Sequence, residues 1–206
     1  MSYKLIVIAM LGAVWGILEA QLGTMLHALG LPFIGALMMS FGLLFLIAAR
    51  MITNLRFSSL LLAFVVSFIK FLFVGGIAIY PLLGIILQAT IFELLVWNNR
   101  AMLFRYLLAS GFCLTYSLFH PFLTQGLLGG WKIMAVYSRL VDSGSAVLGL
   151  PDHFGYWILI FLVVCHFLIG SAAAFVAFHF IKILERRGVL SFSIVNKKPT
   201  MLSNAR

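Results

Sequence analysis

Six apolar runs, each close to the length that crosses a bilayer, constrain this chain more than any other feature. A membrane-spanning α-helix needs about 20 predominantly apolar residues. The runs lie at about 4–28, 31–52, 57–79, 81–99, 102–127 and 154–184. Gly30 and Pro32 close the first, Gly75, Gly76 and Pro81 the third, and Gly129 and Gly130 the fifth, as glycine and proline do where a periodic segment stops. A backbone exposed to lipid must satisfy its own hydrogen bonds, so such runs fold as helices. The apolar/polar alternation of a membrane barrel is absent from the sequence. Composition agrees: 64% of the 206 residues are hydrophobic and 9% charged, with mean hydropathy +1.16, against about 25% charged in ordinary soluble domains. The expected fold class is an all-α membrane protein, a six-helix transmembrane bundle over residues 1–190, followed by a basic cytoplasmic tail at 191–206.

Fourteen Lys and Arg stand against five Asp and Glu. In a membrane protein this excess is read through the positive-inside rule, and no zinc spacing or aromatic-basic groove pattern points to nucleic acid. With the N-terminus inside, Lys4, Arg50, Arg56, Arg100, Arg105, Lys182, Arg186, Arg187, Lys197, Lys198 and Arg206 are cytoplasmic. Only Lys132 and Arg139 fall outside, and Lys70 lies within a span. Both termini are therefore expected in the cytoplasm, in a multi-pass protein of the cell (inner) membrane. The first apolar run is far longer than a signal-peptide core and has no cleavage pattern, so it reads as a retained span. Cys113 and Cys165 read as free thiols inside spans.

The longest non-spanning stretch, about 129–153, is expected outside. Trp131, Ile133, Met134, Val136, Tyr137, Leu140 and Val141 recur at helical spacing opposite Lys132, Arg139 and Asp142, which suits a short interfacial helix. It either closes the loop or serves as a lid over an outward-facing cavity.

Small residues form two seams. Ala9, Ala13, Gly16, Ala20, Gly23 and His27 share a stripe of the first span, and Gly170 to Ala174 with Ala177 make a patch on the last. Small residues let helix backbones approach closely in lipid. The seams either pack the bundle internally or, at Ala9, Ala13 and Gly16, dock a partner membrane subunit.

Ionisable residues inside spans are functional-site candidates by default, because each costs roughly 2.5–3.5 kcal/mol at the bilayer centre. At about 1.5 Å rise per residue, Glu19, Lys70, Gln88 and His120 fall at a common depth of about 10–14 Å below the outer surface, and Glu93 and His166 at roughly 18 Å. Four different helices supply the shallower set, and an ion pair between Glu19 and Lys70 offsets part of their burial cost. A polar layer walled by apolar and aromatic side chains is the expected build of a small-molecule site, with Trp131 as either a substrate-stacking residue or a member of the interfacial aromatic belt. The same side chains could instead lock the bundle as structural pairs.

No G-x-x-x-x-G-K-[ST], H-E-x-x-H or G-x-S-x-G occurs, so neither ATP hydrolysis nor the commonest intramembrane hydrolase chemistry is expected of this chain. No cofactor or metal site is expected. Two alternatives stay open: an enzyme or haem/redox subunit using Glu93, His120 and His166, with His179 thirteen residues further on, and a purely structural membrane subunit.

Six short spans with both ends inside, Ala9-x-x-x-Ala13, Trp15-Gly16-x-x-Glu19-x-x-x-Gly23, the stretch Leu26 to Phe33, Lys70 before Gly75-Gly76, and His166-x-x-x-Gly170 resemble the substrate-binding S components of energy-coupling factor transporters. That resemblance covers nearly the whole chain. It implies a membrane subunit, not itself an enzyme, that captures a vitamin-like small molecule in an outward-facing pocket. It also implies a scaffold membrane subunit and two ATPase subunits as partners, with Ala9 and Ala13 on the surface that meets the scaffold.

Overall fold

Leu, Ile, Phe and Ala dominate each apolar run, and each folds as a helix that buries one side against its neighbours. The computed structural model describes residues 2–29, 33–74, 79–97 and 103–188. Within them lie α1 (Ser2–Ala28), α2 (Ile34–Thr53), α3 (Ser58–Val74), α4 (Ile79–Leu95), α5 (Leu103–Pro121), α6 (Ile133–Leu148) and α7 (Gly155–Arg186). No strand occurs among the described residues. The tail at 191–206 and the breaks at Gly30, Pro32, Gly75 and Gly76 lie outside them, as does the side chain of His27.

Four helical stretches are long and apolar enough to cross a membrane: α1, α2, α5 with its extension, and α7. Helices α3 and α4 are shorter, at 17 residues each, which is about 26 Å of helix. Their outward faces are apolar too: Phe64, Phe68 and Leu72 of α3 and Leu94 and Leu95 of α4 are exposed, and so are Tyr156 and Trp157 at the start of α7. Water-soluble monomers rarely show apolar surface on this scale. The fold fits a membrane protein.

Helix α2 is the central column. It touches α1, α3, α4, α5 and α7, while those five pack in the order α1, α3, α4, α5, α7 around it. Leu43, Leu46 and Ile47 of α2 are fully buried against Leu62 and Val66 of α3 and Phe92 of α4. The sixteen-residue α6 is the short helix expected in the 129–153 segment, and it packs on α7 and on the extension of α5.

The seam on α1 has an internal use. A Cβ at Gly12 would stand 2.7 Å from Val65 of α3, and one at Gly16 would stand 2.9 Å from Ile69. Gly16 is therefore buried under α3 and cannot belong to an outward docking seam. Ala9 is exposed and Ala13 half-buried, so the outer part of that stripe stays on the surface. On α7, Gly170 lies against the Ser110 backbone of α5, and Ser171 Oγ donates to the Leu107 carbonyl at 3.1 Å.

Pro121 lacks the N–H that would continue the α-helical ladder, and the chain widens into a π-helical turn over Phe122–Leu128. The Gly129 N–H bonds the Thr124 carbonyl at 2.8 Å, and Thr124 Oγ1 returns to the His120 carbonyl at 2.9 Å. Such π turns recur at functional sites. This one brings α5 beneath α6.

Candidate functional site

Close packing of α1 on α3 sets the first contact. One turn beyond Gly16, Glu19 faces Lys70, whose Nζ donates to Oε1 at 2.8 Å. The two side chains are only 9% and 11% exposed. Burying two charges is costly, and the attraction repays it only when geometry is good and other polar groups help. Gln88 of α4, fully buried, donates from Nε2 to the Met39 carbonyl of α2 at 2.9 Å. His120 of α5 holds Tyr116 through Nδ1 at 2.8 Å, and its ring lies over Gly84 of α4, where a Cβ would come within 3.1 Å of Cε1.

These four side chains line one cavity of about 370 Å³. Its apolar wall includes Trp15, Met38, Met39 and Ile85, and Thr24 adds a hydroxyl. Trp15 is 1% exposed and stacks parallel on Phe45 at 6.0 Å. Its ring fits against Gly42 of α2, where a Cβ would meet Cζ2 at 2.5 Å. Lys70 keeps further N–H donors beyond its bond to Glu19, and Glu19 keeps a second oxygen. A solute seated there meets a cation, an anion, an amide and an imidazole within an apolar enclosure. In such surroundings each polar contact is stronger than in water.

Glu93 and His166 do not join this cavity or each other. At the opposite end of the bundle, Glu93 Oε1 accepts from Arg50 at 2.8 Å and from the Phe57 N–H at 2.8 Å, while Oε2 accepts from the Ser59 N–H at 3.3 Å. Arg50 also donates to the Leu55 and Val96 carbonyls at 2.7 and 3.0 Å. Both residues are about 2% exposed, so Arg50 is a buried clasp of the α2–α3 turn rather than a surface charge. Phe57, held there with φ of 65°, packs edge-on to Trp97 at 5.2 Å. His166 of α7 bonds the Leu162 carbonyl through Nδ1 at 2.8 Å and meets the Phe33 ring edge-on at 5.5 Å. His179 is exposed.

Trp131 lies outside the cavity. It is 41% exposed, with the Arg139 guanidinium over its ring at 4.0 Å. No residue of α6 lines the first cavity; α6 instead roofs a second one of about 460 Å³, which shares Gly35, Met39 and His120 with the first. Arg139 is exposed, as the polar face read from the sequence implies, and stands at the rim of this second space, which Gln125 and Ser143, not singled out in the sequence, also line. The spacing of 136, 139, 140 and 143, one face of a helix, was the available signal. For Arg50 there was none: a basic residue near a turn reads as a surface charge.

Compared with family models, curated proteins and solved structures, the chain gives no match.

Proposed function

We propose that this protein is a membrane subunit that captures a small polar solute, of the kind found in energy-coupling factor importers, with binding and not catalysis as its task. One observation carries the reading: Glu19, Lys70, Gln88 and His120, from four helices, converge on a single cavity walled by apolar side chains. Such a build suits a site that recognises few polar groups and excludes water from the rest. The transporter class rests on the sequence resemblance. In this reading the six apolar helical stretches cross the membrane and α6 lies at one surface. The basic residues at the N-terminal end of α1 and in the α2–α3 turn put that end in the cytoplasm, and the cavity then opens outward. A scaffold membrane subunit and two ATPase subunits supply the energy for release, and exposed Ala9 with half-buried Ala13 form part of the face that meets the scaffold.

The test is mass spectrometry of small molecules released on denaturing the detergent-purified protein. One molecule bound near stoichiometrically in the wild type, and lost in Gln88→Leu and in the double variant Glu19→Gln/Lys70→Met, supports the reading. A molecule retained in all three, or none bound in any, overturns it.

A further inference from the structure

The second cavity has a chemistry that the first does not. Around its rim stand Arg139, Gln125, Ser143 and His120, and among the described residues no carboxylate lines it. No acidic group lies within ion-pair distance of Arg139 among the described residues, and the Gln125 amide and Ser143 hydroxyl make no side-chain hydrogen bond there. Arg139 is exposed at this rim, and its guanidinium stacks at 4.0 Å on the Trp131 ring, a contact that orients Arg without using its donors. Val136, Arg139, Leu140 and Ser143 project from one face of α6 into this space, so the helix fixes the donors relative to one another. The backbone at Trp131 is tied to the π turn, its main-chain N–H donating to the Gln125 carbonyl at 3.0 Å.

We infer that the second cavity is a subsite for an anionic group, a carboxylate or phosphate, at the far end of the solute that the first cavity holds. His120, Met39 and Gly35 line both spaces, so one elongated molecule passes His120 with its acidic end at Arg139 and its other polar end at Gln88 and the Glu19–Lys70 pair. The cavities contribute about 370 and 460 Å³, within the range of small-molecule sites, about 300–1,000 Å³. The solute class is thus an amphipathic acid with a second polar group, not a compact cation. This inference rests on the solute-binding reading and deepens it.

Thiol reactivity tests it without knowledge of the solute. In a Cys165→Ser background, with Cys113 fully buried, Ser143→Cys is treated with anionic sulfonatoethyl methanethiosulfonate or cationic trimethylammonioethyl methanethiosulfonate. The anionic reagent is expected to react faster by at least about tenfold, since one unpaired guanidinium attracts one and repels the other. The preference is expected to vanish in Arg139→Gln and to persist in Arg139→Lys. Equal rates, or a preference that survives Arg139→Gln, overturn the subsite. The same anion chemistry could come from a phospholipid headgroup. A preference present in detergent but abolished in phosphatidylcholine nanodiscs assigns the site to lipid and overturns the solute subsite. The released molecule supplies the second readout: it is expected to carry an acidic group and to be lost in Arg139→Gln. A molecule lost in Gln88→Leu yet kept in Arg139→Gln leaves the solute-binding reading standing and removes this one.

Discussion

Lys70 Nζ lies 2.8 Å from Glu19 Oε1 across the contact that Gly12 and Gly16 open between α1 and α3. The pair is at once a packing element and the polar floor of the first cavity. Its position depends on glycine one helical turn away on the same face of α1: a side chain at Gly16 would lift the helix that carries Glu19.

Removing one partner leaves the other charge buried and unpaired. Lys70→Met is expected to destabilise the protein by about 3–5 kcal/mol, whereas Glu19→Leu/Lys70→Met recovers most of that loss. Thermal unfolding of the four proteins in detergent measures the coupling; purely additive single effects would mean that the pair is solvated and not buried.

The Arg50–Glu93 clasp predicts an effect confined to the other end. Glu93→Leu deprives Arg50 and the Phe57 and Ser59 N–H groups of their acceptor, at a cost of about 3–5 kcal/mol for the stranded guanidinium. Hydrogen exchange at Phe57 and Ser59 should accelerate, while solute retention in the folded fraction stays as in the wild type. Unchanged exchange in the α2–α3 turn would show that Glu93 does not hold it.

Gly42 and Trp15 predict a packing defect that reaches the cavity. Gly42→Val places branched carbon where the Trp15 ring now lies, and overpacking of this kind costs about 1–3 kcal/mol. Trp15 fluorescence should shift with the unfolding temperature and solute retention should fall. A variant with native stability and an unshifted Trp15 spectrum would contradict the contact.

The proposed scaffold contact at Ala9 can be tested apart from folding. Its side chain is exposed, so Ala9→Leu is expected to change stability by less than about 0.5 kcal/mol. Capture of a scaffold subunit by the tagged, folded protein should nevertheless drop sharply, while Gly16→Leu fails already at folding. Undiminished capture by Ala9→Leu would overturn the proposed docking role of Ala9.

Much of the helical organisation could be read from apolar run lengths and from glycine and proline between them, because chain continuity makes those signals local. The short helix over 133–148 was legible for the same reason, in the spacing of its apolar residues. Glu19, Lys70, Gln88 and His120 could be named because charge and amide are conspicuous in an apolar run. Glu93 and His166 were equally conspicuous, yet depth along a helix does not tell which neighbour a side chain faces. Rotation about the helix axis sent Glu93 to Arg50 and His166 to Phe33.

The sequence by itself determined that this chain is helical, that its helices are mostly apolar enough for lipid, and which few polar residues need an explanation. Only the tertiary structure decided that four of them surround one hollow, that Gly16 packs inward, that Arg50 is buried, and that Arg139 stands at the rim of a second space. The reason is physical: helix formation is set by neighbours along the chain, whereas pairing across the bundle depends on how helices rotate and approach, which side-chain volumes at distant positions fix together.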